Sequence, residues 1–156
     1  LNKSDTLNNN FKFGNDPTGD LCPFAAHIRM ANPRDEIISN NAADSESLIA
    51  THRLLRRGIP FGASLGALRG GKPDDPRGLL FVCFQKDIER QFEFVQSRWI
   101  NNADFPPAPD EVTPGPDPIA AMTHGGRLHL ESKKSNVHVD NYVRMTGGEY
   151  FFSPSL

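Results

Sequence analysis

One short apolar run, Gly78–Phe84, constrains the fold of this chain more than any other feature. Its seven residues carry no charge, and every residue after the glycine is apolar or a thiol. A strand that is apolar on both faces is typical of the centre of a sheet, where it is covered on both sides. Crossing a bilayer takes about 20 apolar residues, so the run is too short for a membrane protein. We therefore expect a central strand in a globular domain.

An amphipathic pattern follows this strand directly. Large apolar side chains recur at steps of four, three and four residues, at Ile88, Phe92, Val95 and Trp99. This is the period of a helix with one buried face, and Asp87 is suited to capping its first turn. We expect the helix to end at Asn101 and to pack on the sheet.

Alternating apolar residues predict further strands near the end of the chain. They lie at Leu128 and Leu130, at Val137, Val139, Tyr142 and Val143, and in residues 147–152. Residues 35–47 are polar and predict a surface excursion, and the proline-rich stretch 105–118 predicts an extended connection fixed against the domain. Strands interleaved with one clear helix indicate an α+β domain.

Length and charge bound the function. The chain has 156 residues, the size of one domain, with 17 Lys and Arg against 19 Asp and Glu. This near-neutral balance favours neither nucleic acid nor a membrane surface as a partner.

The chain starts with Leu1, and residues 1–20 resemble a loop before a domain at 21–156, so we expect that an N-terminal half is missing. The glycosylation pattern at Asn2 suits a secreted protein. Cys22 and Cys83 are left open between a disulfide and two thiols.

His27 is the most informative of the five histidines, although none has the spacing of a zinc site. It lies in a compact element between Pro23 and Pro33. Haem iron needs a single protein ligand because the porphyrin supplies four nitrogens. Apolar and small neighbours would give the ring a suitable setting: Phe24, Ala25, Ala26, Ile28 and Met30. These residues alone still favour an ordinary core histidine.

Five short motifs occur along the chain in a fixed order. They are CPFAAHIR at 22–29 with NPR at 32–34, LRRGIPFG at 55–62, GLLFV at 78–82, PDPI at 116–119 and GGEYFF at 147–152. Together they resemble the dye-decolorizing peroxidases, particularly the fungal branch, from about residue 20 to the end. The resemblance implies a ferredoxin-like antiparallel sheet with helices, the C-terminal half of a dimeric α+β barrel-type haem peroxidase.

The same resemblance assigns the proximal side of a haem b site. His27 is the expected iron ligand, and Asp117 the carboxylate that accepts a hydrogen bond from the other imidazole nitrogen. An Asp before Pro is also a common turn former, and that alternative stays open for Asp117. Arg34 resembles the arginine that binds a haem propionate.

Distal residues follow from the strand motifs. Arg56 resembles the catalytic distal arginine, which stabilises negative charge that grows on peroxide as its O–O bond breaks. Arg57 would point to the opposite face of an extended segment. Leu79 and Phe81 share a strand face and are expected to wall the distal pocket, although plain core packing would bury them equally.

The implied activity is reduction of hydrogen peroxide with oxidation of dyes, phenols and other aromatics. The family's distal acid–base Asp belongs to a Gly-x-x-Asp-Gly motif, and this motif does not occur in the sequence. We expect it in the N-terminal half of the enzyme, a separate or missing chain. Trp99 is expected to pack in the core rather than to relay electrons, and Phe61 replaces a tyrosine that relatives often have.

Two other hypotheses remain. The chain is either a haem-binding half with no turnover of its own, or an interaction domain that kept the motifs without the cofactor. Secretion is implied by the fungal likeness.

Overall fold

The computed structural model describes residues 11–62, 76–110, 112–123, 125–130 and 134–154. After a single 3-10 turn, Phe13–Asn15, come helices α1 (His27–Ala31) and α2 (Ala42–Thr51) and strands β1 (Leu55–Phe61) and β2 (Gly78–Phe84). A longer helix follows, then β3 (Gly126–Leu130) and β4 (Ser135–Val139). Each strand pair is antiparallel, so the α+β prediction is confirmed.

The longer helix, here called the central helix, comprises Glu89–Glu93 and Val95–Ile100 and is continuous through Phe94. The predicted cap is confirmed, because Asp87 Oδ1 accepts a hydrogen bond of 2.9 Å from Arg90 N. Several of its hydrogen bonds span five residues, as in a π-helix, among them Asn101 N to Gln96 O at 3.1 Å. The wider turn brings Ile100 into the core beside Val95 and Trp99, while Ile88 and Phe92 are only partly buried.

The core lies between α1, α2 and the second half of the central helix. It consists of Ala25, Met30, Ile49, Val95, Trp99, Ile100 and Phe105. Trp99 is only 4% exposed, and its ring stacks on Phe105 with centroids 5.3 Å apart. The packing interpretation of Trp99 is therefore confirmed. The proline-rich connection is also fixed as predicted, since Pro106, Pro114 and Pro118 are buried.

Helix α2 corrects the prediction of a polar surface excursion at 35–47. Asn41 caps the helix, because its side-chain oxygen accepts a hydrogen bond of 2.9 Å from Asp44 N. Only Ser45 and Ile49, four residues apart, are buried on this helix. So narrow a buried stripe gives a weak helical pattern, which explains why the sequence did not indicate this helix.

The strand predictions are partly wrong. β2 was expected to be covered on both sides, yet among the described residues it pairs only with β1, and Leu80 is 55% exposed. β3 and β4 are confirmed. Tyr142, Val143 and residues 147–152 are exposed and irregular, because a strand needs a hydrogen-bonded neighbour and none pairs with them in the described part of the chain.

Arg29 anchors the N-terminal part of the domain from inside. Its guanidinium is fully buried and donates to Cys22 O at 2.7 Å and to Asp16 O at 3.1 Å. It also forms ion pairs with the carboxylates of Asp16 and Glu36. Burial raises the pKa of the Glu36 carboxyl despite this pairing. Among residues 11–20, Phe13 and Asp16 are buried, so this stretch packs on the domain.

The remaining predictions concern small features. Residues 1–10, with the glycosylation pattern at Asn2, lie outside the described residues. Cys22 and Cys83 are free thiols, and burial raises the pKa of each. Within the described ranges, no helix is long and apolar enough to cross a bilayer.

Replacing Arg29 by Met is expected to lower the free energy of unfolding by about 3–5 kcal/mol, because Asp16 and Glu36 then lack their buried cation. Urea unfolding measures the change. The matched control is Arg90→Met, which removes an exposed arginine 3.8 Å from the Asp87 carboxylate and should cost less than about 1 kcal/mol. Equal losses in the two variants would contradict the structural role of Arg29.

Candidate functional site

His27 and Asp117, 90 residues apart in sequence, form the centre of the candidate site. His27 is the first residue of α1, and its Nδ1 lies 2.5 Å from Asp117 Oδ2. An ionised carboxylate only accepts hydrogen bonds, so Nδ1 carries the proton and Nε2 keeps its lone pair. The His27 side chain is 45% exposed, and no hydrogen-bond partner of Nε2 is found among the described residues. The ring is therefore able to bind a metal through Nε2.

Asp117 is fully buried and uses its two oxygens differently. Oδ2 faces His27, whereas Oδ1 accepts from Ile119 N at 2.8 Å and from Ala120 N at 3.1 Å. One oxygen thus holds the turn and the other faces the imidazole, while the role of Asp117 behind an iron ligand stays a prediction. The sequence signal for the turn was Asp-Pro followed by Ile119 and two alanines.

The apolar setting predicted for His27 needs correction. Phe24, Ala25 and Met30 point into the core and do not surround the ring. Met30 in α1 and the buried residues Phe24 and Ala25 before His27 therefore anchor the element to the core. The exposed apolar side chains nearest in sequence to the pair are Ile28 and Ile119. Ile28 is 51% exposed and Ile119 43% exposed.

Arg56, Leu79 and Phe81 lie on one face of the β1–β2 hairpin. In the register of the two strands, Arg56 lies opposite Cys83, Gly58 opposite Phe81 and Pro60 opposite Leu79. Directly opposed residues share a face of the sheet. Arg57 lies on the other face, as predicted from an extended backbone. Leu79 reaches across Gly58, where an added Cβ would meet its side chain at 3.1 Å. One cation and two large apolar side chains thus share an exposed surface.

Arg34 lies against Phe11, near the start of the described residues. Its backbone has a left-handed φ of 57°, and its guanidinium lies 3.8 Å from the Phe11 ring centroid. It lines a shallow charged pocket with Lys12, Glu46 and Arg53. The described contacts link His27 to Asp117 and group Arg56 with Leu79 and Phe81. The expected role of Arg34 at a propionate stays a prediction.

Comparison with known proteins identifies the family of this chain. The model of the C-terminal region of Dyp-type peroxidases matches residues 7–107. The multifunctional dye peroxidase DyP2 of Amycolatopsis sp. is 35% identical over 96% of this chain and 34% of its own length. The dye-decolorizing peroxidase AauDyP1 of Auricularia auricula-judae is 34% identical over 96% of this chain and 31% of its own.

The chain belongs to the Dyp-type peroxidase family. The structure of an ancestral D-type dye decolorizing peroxidase superposes with a TM-score of 0.71 at 33% identity, covering 90% of this chain and 32% of that protein. The chain therefore spans about a third of the length of the relatives that it matches.

The geometry predicts the tautomer of neutral His27. Because Nδ1 donates to Asp117, long-range ¹H–¹⁵N spectra should show a protonated Nδ1 and an unprotonated Nε2. His138 is an internal control, since its Nε2 rather than its Nδ1 lies 3.0 Å from the Asp140 carboxylate. A protonated Nε2 on neutral His27 would contradict the assignment.

Proposed function

We propose that this chain is the haem-carrying part of a dye-decolorizing-type peroxidase, an oxidoreductase that reduces hydrogen peroxide and oxidises dyes, phenols and other aromatics. The observation that carries the proposal is the His27–Asp117 pair in a chain of this family. A carboxylate behind an imidazole is the usual arrangement around a metal-binding histidine. Secretion belongs to the proposal as well and is supported by the resemblance to the fungal branch.

The residues present fit haem b. His27 offers one free lone pair, as a single axial ligand requires, and exposed Ile28 and Ile119 offer apolar surface to a porphyrin. When bound, haem would supply the redox centre that reduces peroxide and takes electrons from aromatic donors. A multi-ligand metal site is a poorer fit, because the described residues contain no cluster of three His, Cys, Asp or Glu side chains.

Each site residue has a task of its own in this proposal. His27 binds the iron, and Asp117 keeps the proton on Nδ1, which fixes the ring and makes it more electron-rich. Arg34 pairs with a propionate. Arg56 supplies a fixed cation where negative charge grows on peroxide, and its neighbours Leu79 and Phe81 exclude water, which strengthens that interaction.

Peroxide cleavage also needs a group that moves a proton between the two oxygens. We place this group in an N-terminal part of the same enzyme, as a separate or missing chain. The support is a group of exposed apolar side chains on one face of the β1–β2 hairpin, because globular domains rarely leave large apolar patches uncovered. This apolar hairpin face, opposite Arg56, consists of Leu55, Ile59, Phe61, Leu80 and Phe84 with the partly buried Val82. Until that part joins, the chain would hold haem without turnover, the alternative that the sequence left open.

His27→Ala is expected to abolish the Soret absorbance of the purified enzyme, because the porphyrin iron loses its protein ligand. The control is His138→Ala, which removes an exposed histidine and should leave the spectrum unchanged. An ultraviolet–visible spectrum and a haem-to-protein ratio measure both variants. A normal Soret band in the His27 variant, or no haem in the wild-type enzyme reconstituted with it, would contradict the proposal.

Leu80→Asp is expected to destabilise the complete enzyme by about 3 kcal/mol, because the N-terminal part would bury the new charge in the apolar hairpin face. The control is Leu21→Asp, at a more exposed leucine in the turn region before α1, with an expected change of about 0.5 kcal/mol or less. Chemical unfolding of both variants measures the difference. Equal effects would argue against a covered hairpin face.

A further inference from the structure

We infer that Gln96 and Asn101 of the central helix region are positioning residues for Asp117 and, through it, for His27. The inference rests on the proposed function, because it concerns how the carboxylate acts on the iron ligand. Neither residue was assigned to the site from the sequence, since a Gln and an Asn at a helix end are ordinary surface residues.

Three hydrogen bonds join the end of the central helix to the segment 117–122. Asp117 N donates to Ile100 O at 3.0 Å. Gln96 Nε2 donates to Ala120 O at 3.0 Å, and Asn101 Oδ1 accepts from Met122 N at 2.8 Å. The segment is thus held at its start, its middle and its end, and two of the three bonds depend on side-chain amides.

Gln96 acts close to the carboxylate itself. The residue that it holds, Ala120, donates its own N–H to Asp117 Oδ1 at 3.1 Å. Asn101 reinforces this arrangement, because its Nδ2 donates to Gln96 O at 2.7 Å. Hydrogen bonds therefore run from the helix through Ala120 to one carboxylate oxygen, while the other oxygen faces His27.

Removing the Gln96 donor would free the segment to shift and lengthen the bond between Asp117 and His27. The Asp117 carboxylate is fully buried, so bulk water does not compensate when its bond to His27 lengthens. A weaker carboxylate bond makes the imidazole less electron-rich, which disfavours the ferric state of a bound haem. The ferric/ferrous midpoint potential should then rise.

The test compares four variants of the haem-loaded enzyme by spectroelectrochemistry, with urea unfolding as a parallel measurement. Gln96→Met keeps the side-chain length and removes the donor. Gln91→Met is the matched control, because Gln91 lies on the same helix and its amide donates to a different carbonyl, Arg53 O, at 2.6 Å. Asp117→Asn is the reference for loss of the carboxylate, and Asn101→Ala is a second test at a partly exposed position.

We expect Gln96→Met and Asn101→Ala to raise the midpoint potential in the direction of Asp117→Asn, while Gln91→Met leaves it unchanged at a comparable loss of stability. An unchanged potential in both of the first two variants, with a raised one in Asp117→Asn, overturns the positioning role alone. An equal rise in Gln91→Met overturns it too, because the effect would then be general. If Asp117→Asn itself has no effect, the proposed function of the pair fails.

Discussion

The hydrogen bond between His27 and Asp117 is the interaction on which the rest of this structure depends. It joins the start of α1 to a segment 90 residues later, and it brings a fully buried carboxylate against a half-exposed ring. A buried carboxylate is costly unless each oxygen is paired, and here backbone N–H groups satisfy one oxygen and the imidazole the other. These hydrogen bonds orient the His27 ring, and the lone pair of Nε2 stays available for a ligand.

Helix α1 is too short to be stable by itself, so its contacts with the rest of the domain hold it in position. On the outer side stands His27, and on the inner side Arg29 reaches Cys22 O and the carboxylates of Asp16 and Glu36. The second half of the central helix packs against α1 and also accepts the Asp117 N–H at Ile100 O. One helix therefore supports both partners of the pair, which fixes their separation better than either loop would.

Local chemistry made part of this structure predictable. The Asp87 cap, the burial of Trp99 and the alternation that separates Arg56 from Arg57 all follow from short-range periodicity, and the structure confirms them. Helix α2 was missed because only Ser45 and Ile49 face the core. The wrong strand predictions have another cause, since alternation at Tyr142 indicates which side chains share a face but not whether a neighbouring strand exists. The contact of Gln96 could not be predicted either, because its partner Ala120 lies 24 residues away in the sequence.

The two faces of the β1–β2 hairpin differ in a way that bears on their occupants. The face with Arg56 carries that one cation, and small or ring-constrained residues, Gly58 and Pro60, lie opposite Phe81 and Leu79. Phe81 also contacts Phe92 of the central helix, with 6.3 Å between the ring centroids. The other face has large aliphatic and aromatic side chains along both strands, with Arg57 as its one charge. A face with small or ring-constrained residues beside its charge leaves room for a flat ligand, whereas large side chains along both strands suit packing against another protein layer. Under the proposed function, this asymmetry assigns the cofactor to the Arg56 face and the remainder of the enzyme to the apolar hairpin face.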